Sequence, residues 1–396
     1  MAVFVTDGNQ RATLAVVRAL GRAGIPVIVG ETTERSLASS SRYCAGSVAY
    51  PSPSADERSF RQFLENEMAT GRYRMLLPMT DVTTRLAAEV RASFPSEVRL
   101  PLPPVRQVEL AQDKGHVLDL ALRLGIPCPE TWRPQSEQEL ESLAACLRYP
   151  VVIKPRFSRF RRDGAWVRGD VGYAADAAEL LRRYREAEGS LSGAMIQQCI
   201  AGEGLGVFLL LWKGEARAVF CHRRLREKPP WGGVSVYRES IPPQEPLVRN
   251  SVALMRALEW QGVAMVEYKV DASTGVPNLM EVNGRFWGSL QLASDAGLNF
   301  PAMLYRLAQG EDVPAITNYR TGIRSRWLLG DLDHLLLRLR GRTAPGGIGA
   351  SGSRLRDVLS FLKFWEPGLH YEVGRFEDAA PGWFECRAWL RDVFRS

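Results

Sequence analysis

The stretch NLMEVNGRFWGSL, residues 278–290, starts like a buried strand and then places polar residues where apolar ones are expected. Glu281 and Asn283 alternate with apolar residues, and Arg285 follows at once. Upstream, VAMVEYKV at 263–270 is a second apolar run with one glutamate at its centre. Burying a charge is costly unless a partner compensates it. The two runs therefore predict a polar site on neighbouring strands.

The linker DASTGVP predicts that the two runs form a hairpin. If Thr274 lies near the centre of the turn, Glu267 is directly opposite Glu281, and Asn283 is on the same face. Opposed carboxylates repel each other, and a divalent cation removes that conflict. Oxygen ligands of this kind suit Mg²⁺, and Mn²⁺ accepts them too. The alternative is a solvated strand face with a surface ion pair, which the apolar flanks disfavour.

Lysine is rare in this chain, since only six of the 51 basic residues are lysine. Where arginine fills most cationic positions, the remaining lysines are enriched for sites that need a compact ammonium group. Lys154 ends the apolar run YPVVIKPRF, Lys114 opens a helix, and Lys269 lies on the first acidic strand. Together with Arg285 and a metal site, these cations predict a binding site for a triphosphate. The Arg-rich segment 156–162 is either an exposed basic loop or a flap over the phosphates.

A nucleotide also requires a pocket for its base and ribose. The segment MIQQCIAGEGLGVFLLL predicts a strand, a short hinge and a second strand. Backbone groups of the hinge residues Gln198, Cys199 and Ile200 can bind the adenine edge. The carboxylate of Glu203 can accept hydrogen bonds from the ribose hydroxyls. Leu279, on the predicted face of the carboxylates, can pack against the ring. An ordinary β-turn explains the same residues equally simply.

The distribution of strand and helix signals predicts a protein of mixed α/β and α+β class with three parts. Residues 1–105 alternate strands and helices, as in a parallel βαβ domain, and their first turn lacks a G-x-G-x-x-G dinucleotide motif. One helix, VELAQDKGHVLDLALRLG, follows the boundary. Residues 106–310 predict a mostly antiparallel nucleotide- and metal-binding region. Residues 311–396 predict a helical extension with a flexible Gly-rich loop at 341–353.

Composition narrows the class of protein further. The net charge of +7 and the pI of about 9.2 favour anionic ligands, without by themselves indicating nucleic acid. No apolar run is long enough to span a membrane, and the N-terminus does not resemble a signal peptide. Six scattered cysteines are typical of a reduced, cytoplasmic protein. The sequence lacks a P-loop, H-E-x-x-H and G-x-S-x-G, and it leaves open whether the protein forms a homo-oligomer.

Taken in this order along the chain, these motifs resemble the ATP-grasp superfamily, and are most similar to its carboxylate–amine ligase and carbamoyl-phosphate-synthase-like branch. The similarity extends over roughly residues 1–310. It implies an ATP-grasp fold with an N-terminal Rossmann-like domain. It also implies that MgATP phosphorylates a carboxylate, and that an amine attacks the acyl phosphate to give an amide, ADP and phosphate.

The resemblance further implies roles for individual residues. Two metal ions would bridge the phosphates from Glu267, Glu281 and Asn283. The phosphate-binding lysines would be 114 and 154, and Arg285 would lie near the transferred phosphate. Lys269, on the predicted face of Glu267, is a second candidate catalytic residue that can reach the phosphate oxygens. Two departures stand out: the phosphate loop is rich in arginine rather than glycine, and Gln198 occupies a hinge position that is often glutamate.

The second substrate has weaker candidates. His222, in CHRR, either accepts the proton of the amine or is a strand-end histidine bonded to backbone. The segment 226–240 is either a loop in which Lys228 and Arg238 bind a substrate carboxylate, or a structured β-connection. The expected partners are therefore a small carboxylate and a small amine, with no nucleic acid. Alternatives are a kinase- or carboxylase-type member of the same superfamily, or a regulatory protein that binds ATP without turnover.

Overall fold

The computed structural model of this chain describes residues 1–162, 165–188, 193–344 and 353–394. Most of the loop predicted to be flexible, at 341–353, lies outside these residues. The described residues form four sheets and thirteen α-helices, in an order that alternates strands and helices at the N-terminus and then becomes mostly antiparallel.

The N-terminal part is a parallel four-stranded sheet, which confirms the predicted βαβ arrangement. Its strand order is β3-β2-β1-β4. The helix α1 is buried along its whole central part because it lies between this sheet and later helices of the chain. The elements are β1 (Ala2–Val5), α1 (Arg11–Arg22), β2 (Val27–Glu31), β3 (Gly46–Ala49), α2 (Glu57–Met68), β4 (Tyr73–Leu77) and α3 (Asp81–Glu89).

The single helix predicted after the domain boundary is in fact two helices, α4 (Val105–Gln112) and α5 (Lys114–Arg123). The break falls at Asp113, whose side chain accepts a hydrogen bond from the backbone N–H of His116. Aspartate is a favoured N-cap residue because its carboxylate satisfies a free N–H of the first turn. The break places Lys114 at the start of a helix, next to Asp113.

A smaller antiparallel sheet with the strand order β5-β10-β6-β9 follows. Two helices cover it, and a separate two-stranded hairpin, β7–β8, extends from it. The elements are β5 (Thr131–Trp132), α6 (Glu137–Cys146), β6 (Val151–Lys154), β7 (Arg159–Arg162), β8 (Ala165–Arg168), β9 (Gly172–Ala174), α7 (Ala177–Glu188) and β10 (Met195–Gln198).

The largest sheet has seven strands in the order β15-β14-β11-β12-β13-β16-β17. All its pairings are antiparallel except β16 with β17. One face packs against α1, α9 and α10, and the other against α4, α5 and α8. The elements are β11 (Gly202–Trp212), β12 (Glu215–Lys228), β13 (Val234–Ile241), α8 (Glu245–Ala257), β14 (Gly262–Asp271), β15 (Pro277–Asn283), α9 (Leu290–Asp295), α10 (Phe300–Ala308), β16 (Arg324–Arg326) and β17 (Leu369–Tyr371).

The C-terminal extension is helical, as predicted, with α11 (Leu328–Leu339), α12 (Arg354–Phe361) and α13 (Ala380–Val393), but it also supplies β16 and β17. It is tied to the N-terminal domain by Arg18 of α1, which is fully buried. Arg18 Nε donates to Asp378 Oδ2 at 2.8 Å, and its two terminal nitrogens donate to the carbonyls of Glu372 and Val373. The two ends of the chain therefore share one set of buried contacts.

Candidate functional site

The two acidic strands pair in the predicted register. Glu267 of β14 is opposite Glu281 of β15, and Met265 is opposite Asn283. The amide nitrogen of Asn283 lies 3.4 Å from Glu267 Oε1 and 3.2 Å from Glu281 Oε1. Two carboxylates and one amide therefore converge on one point at the edge of the largest sheet.

Leu279 does not share this face, so that expectation was wrong. The register shifts between Glu267 and Tyr268, so that Tyr268 is opposite Leu279 and Met280 is the extra residue of a β-bulge. Leu279 is fully buried in the core on the other face of the sheet, together with Tyr268 and Val282. It therefore contacts the protein interior instead of the face that carries the carboxylates.

Three lysines approach the carboxylates from separate elements. Lys114 Nζ, at the start of α5, lies 3.8 Å from Glu281 Oε2 and also donates to the hydroxyl of Ser158. Lys154 ends β6, and Lys269 follows Glu267 on the same face of β14. Lys154 interacts electrostatically with Glu281, with Glu267 and with both other lysines. The structure thus gathers the three lysines predicted for the phosphates.

Arg224 belongs to this site although the sequence analysis did not single it out. From β12, its guanidinium pairs with Glu267 and with Glu227, the latter at 2.9 Å. The sequence could have indicated this position, because Arg224 lies two residues after His222 on a predicted strand, and residues two apart on a strand face the same side. An arginine of β12 and a glutamate of β14 thus belong to one cluster of charges across the sheet.

The surrounding charges separate the pKa values of the two carboxylates. Burial raises the pKa of Glu267 to about 7, with Arg224 opposing the rise and Glu281 adding to it. Burial acts in the same direction on Glu281, but Lys114 and Lys154 outweigh it and hold its pKa below the usual value. Burial lowers the pKa of Lys154 to about 8. These shifts are typical of a site built for a charged ligand.

Arg285 connects the carboxylates to the N-terminal domain. Its Nε lies 2.6 Å from Asp81 Oδ1 at the start of α3, and its Nη2 donates to Asn283 Oδ1 at 3.1 Å. Only glycine fits between Asn283 and Arg285, because a Cβ on Gly284 would lie 2.2 Å from the ring of Trp260. Asp81 is a second site residue that the sequence analysis missed, since nothing local distinguishes it from an ordinary first-turn acid.

The Arg-rich segment is the hairpin β7–β8, and it lies against the N-terminal domain. Arg161 binds Glu57 of α2 through two hydrogen bonds of 2.8 Å. The backbone N–H of Trp166 donates to the carbonyl of Ser54, and the indole is buried in the N-terminal core. Arg159, at the start of the hairpin, interacts electrostatically with Asp81 and Arg285. The hairpin therefore borders the cluster of charges.

The predicted hinge follows β10. The backbone N–H of Gln198 donates to the carbonyl of Glu130 at 2.9 Å, Ile200 is buried, and Cys199 interacts electrostatically with Lys154 and Lys269. Glu203 departs from the expectation, because it alternates with Gly204 and lies on the face of Leu205, 4.0 Å from Arg223. The hinge thus borders the lysines, whereas Glu203 points to the opposite face of β11.

Of the three residues proposed for the second substrate, two are buried and the third, Lys228, is partly exposed. His222 is 1% exposed, its two ring nitrogens have no hydrogen-bond partner among the described residues, and burial lowers its pKa well below the usual value. Arg238 is in strand β13, fully buried, and paired with Glu372. Lys228 is paired with Asp333 of α11. The segment 226–240 is a β-hairpin connection, as the alternative interpretation had it.

The converging residues fit a hard divalent cation. Oxygens of Glu267 and Glu281 point to the side chain of Asn283, whose amide oxygen and nitrogen exchange places by a simple flip. Within the described ranges no cluster of three or more histidine, cysteine, aspartate or glutamate residues could hold a metal. Two carboxylates plus one amide is nevertheless the sparse ligand set that Mg²⁺ uses when phosphates complete its coordination.

A cavity of about 1190 Å³ lies at the carboxyl ends of β1, β2 and β3. In open α/β sheets this edge is where ligands bind. Its other wall comes from the C-terminal extension, where Trp327 Nε1 donates to Glu385 at 2.7 Å and the guanidinium of Arg11 stacks over the Trp327 ring at 3.9 Å. Burial raises the pKa of Glu385 to about 7. The further lining residues include Asn9, Gln10, Thr32, Thr33, Phe384 and Arg391.

Comparison with known proteins agrees with this architecture. Residues 191–330 match the family described as ATP-grasp in the biosynthetic pathway with Ter operon. An L-amino acid ligase from Bacillus licheniformis is 17% identical, with a TM-score of 0.58 over 78% of this chain and 74% of that one. N5-carboxyaminoimidazole synthetase from Staphylococcus aureus, in complex with ADP, is 11% identical, with a TM-score of 0.62 over 82% and 80%.

A third similar structure is the biotin carboxylase domain of the 2-oxoglutarate carboxylase from Hydrogenobacter thermophilus, a dimer in complex with MgADP, ADP and bicarbonate. It is 14% identical, with a TM-score of 0.62 over 81% of this chain and 73% of that one. At such identities the likeness establishes the fold. The chain therefore has an ATP-grasp fold, and its residues 191–330 are similar in sequence to an ATP-grasp family.

Proposed function

We propose that this protein is an ATP-dependent carboxylate–amine ligase. The γ-phosphoryl group of ATP is transferred to a substrate carboxylate, the resulting acyl phosphate is attacked by an amine, and the products are an amide, ADP and phosphate. The observation that supports this proposal best is the convergence of Glu267, Glu281 and Asn283 below three lysines from three different elements. A purely structural cluster would not need two opposed carboxylates.

Each part of the cluster has a task in this reaction. Glu267, Glu281 and Asn283 would hold Mg²⁺, which neutralises charge on the transferred phosphate. Lys114, Lys154 and Lys269 bind the phosphate oxygens as point charges, and the hinge residues 198–200 bind the adenine. Attack on a phosphoryl group depends on positioning and charge neutralisation more than on a dedicated base. The burial of His222 is therefore no obstacle to the reaction.

Arg285 would complete the charge neutralisation at the transferred phosphate. It lies between Asn283 and Asp81, so its ion pair with Asp81 links the N-terminal domain to the proposed reacting centre. The cavity at the carboxyl ends of β1 to β3 is the proposed site of the second substrate, because it lies on the N-terminal domain and has a mixed polar and aromatic lining. In this proposal the cavity, and not Lys228 and Arg238, binds the second substrate.

A carboxylase-type reaction is the second candidate. It is favoured by the likeness to a biotin carboxylase domain and to N5-carboxyaminoimidazole synthetase. In that reaction bicarbonate takes the place of the organic carboxylate, and the acyl phosphate is carboxyphosphate. Both candidate reactions use the same proposed MgATP site and differ in the acid that is phosphorylated. The dependence of ADP formation on that acid therefore separates them.

The test is the nucleotide product formed from MgATP with pooled carboxylates and amines, with bicarbonate in a separate arm. The ligase predicts ADP only when an organic carboxylate is present, and Glu281→Gln, which removes one negative charge at constant size, abolishes it. ADP that depends on bicarbonate alone would favour the carboxylase reaction. AMP as product would exclude the acyl-phosphate mechanism, and near-normal turnover in Glu281→Gln would refute the metal assignment.

A further inference from the structure

The described residues expose large apolar side chains very unevenly. Every exposed phenylalanine and tryptophan among them belongs to the C-terminal extension: Phe364, Trp365, Phe376, Trp383 and Phe394. Isolated exposed apolar residues are ordinary on a protein surface, whereas a concentration of them marks an interaction site. The segment 354–365, RLRDVLSFLKFW, holds two of these aromatic residues and forms α12 with the turn that follows it.

Within this segment the apolar side chains form one stripe. Leu355, Leu359 and Leu362 are spaced by four and three residues, so they lie on the same side of the helix, and each is more than half exposed. Trp365 continues the segment and is 82% exposed. The opposite side of α12 packs against α11, where Asp357 pairs with Arg338 at 2.9 Å. The stripe is therefore the outward side of a docked helix.

The charged residues of the segment favour one kind of occupant. Its single acid, Asp357, faces α11, whereas Arg354, Arg356 and Lys363 are exposed and have no acidic partner among the described residues. Leucines and tryptophan on one side, flanked by arginine and lysine, are typical of helices that lie in the headgroup region of an anionic membrane. The long aliphatic parts of arginine and lysine let their charges reach the headgroups while the stripe is buried.

We propose that residues 354–365 form a peripheral docking surface for a membrane that contains anionic phospholipid. The stripe covers one side of a short helix, so this binding is interfacial and reversible. None of the described helices is long and apolar enough to cross a membrane. Three cations and three leucines give moderate affinity, because a single short amphipathic segment buries little apolar area. The proposal is independent of the reaction that the site at Glu267 and Glu281 carries out.

Co-sedimentation of the full-length protein with vesicles tests this proposal. Vesicles of phosphatidylcholine with phosphatidylglycerol should bind the protein, and vesicles of phosphatidylcholine alone should bind it at least about tenfold less. The triple variant Leu355→Ser, Leu359→Ser, Leu362→Ser should lose binding. The matched control is Leu122→Ser, which changes an exposed leucine of α5, and it should bind like the natural protein.

Two further measurements distinguish membrane binding from a folding defect and from dimer formation. Unchanged thermal unfolding of the triple serine variant shows that it is folded, as expected for exposed positions. The variant Arg354→Gln, Arg356→Gln, Lys363→Gln should lower binding to the anionic vesicles by about tenfold or more. Absent binding, binding that survives the triple serine substitution, or a dimer that dissociates only in that variant would each overturn the proposal, the last in favour of a second copy of the chain.

Discussion

At the scale of single residues, the two carboxylates of the site differ because different cations reach them. Arg224 pairs with Glu267 from the middle of the sheet, whereas Lys114 approaches Glu281 from a helix outside it. Lys154 owes its lowered pKa first of all to burial, which disfavours its charged form. Such a lysine gains a close counter-charge when an anionic ligand arrives.

The pKa of Lys154 predicts how nucleotide binding depends on pH. Its pKa is about 8 in the free protein, so the ammonium is present below that pH and is lost as pH rises through 8. Bound phosphates favour the charged form, so the Kd for ATP should rise about tenfold between pH 7 and pH 9. Titration calorimetry measures it. Lys154→Arg, which keeps its charge, should bind with a flat profile; an equal rise in that variant would contradict the assignment.

His222 provides the second prediction at this scale. Its ring packs edge-on against Phe208, with 4.6 Å between the ring centres, and neither ring nitrogen has a partner among the described residues. His222→Leu should therefore raise the free energy of unfolding by about 1 kcal/mol, since an unsatisfied buried polar group is removed. Denaturant unfolding and ADP formation measure the outcome. Loss of stability together with a tenfold fall in turnover would restore a functional role to the imidazole.

At the scale of elements, the hairpin β7–β8 is attached to the N-terminal domain by contacts that are charged and partly exposed. Arg161 binds Glu57, stacks over Trp166 at 5.2 Å and lies 3.6 Å from Glu89. Charged contacts of this kind are individually weak, and we propose that the hairpin acts as a flap that opens and closes over the phosphates. The hairpin lies next to the proposed phosphate site, so its opening would control the release of nucleotide.

Weakening this attachment should speed up nucleotide release. Arg161→Ala removes two hydrogen bonds to Glu57, and we expect ADP to dissociate about three- to tenfold faster, because the hairpin opens more often. Stopped-flow fluorescence with a labelled nucleotide measures the rate. Arg168→Ala is the control, because it removes an exposed pair with Asp170 on the same hairpin. Equal rates in both variants would mean that the attachment to α2 has no role in release.

At the scale of the whole molecule, buried charges join the extension to the first helix. Glu372 accepts hydrogen bonds from Arg11 and Arg238, and Asp378 accepts from Arg18 and from the hydroxyl of Ser41. Removing one partner of a buried pair leaves the other charge unsatisfied, which costs more than the pair itself contributes. The extension is therefore part of the folded body that positions the cavity and the sheet.

The buried arginine of this junction predicts a large effect on stability. Arg18→Met should lower the free energy of unfolding by about 3–5 kcal/mol, because Asp378 is left buried without its counter-charge. Arg22→Ala, four residues further on α1, removes an exposed pair with Glu377 and should cost less than about 1 kcal/mol. Chemical denaturation compares them. Similar losses in the two variants would show that burial of the pair does not matter.

Much of this organisation can be predicted from sequence, and the exceptions have physical causes. Glu267 lies opposite Glu281 as the length of the turn predicted, but the turn itself pairs Val270 with Pro277, and only the extra residue Met280 brings the two glutamates into register. The bulge at Met280 inverts the face of Leu279 and has no local signal. Strands β16 and β17, of three residues each, form because distant strands offer free edges. The pairing of Arg238 with Glu372 spans 134 residues, so only the folded chain reveals it.

The contacts of Arg18 also constrain the order in which the protein can fold during translation. A ribosome exposes α1 early, but its buried guanidinium group has no counter-charge until residues 372–378 have been synthesised. We therefore expect the N-terminal domain of a nascent chain to stay incompletely packed until translation has passed residue 378. A chain broken off before that point would present an unpaired arginine in an apolar interior, so truncated copies should be degraded and should not accumulate as partly folded protein.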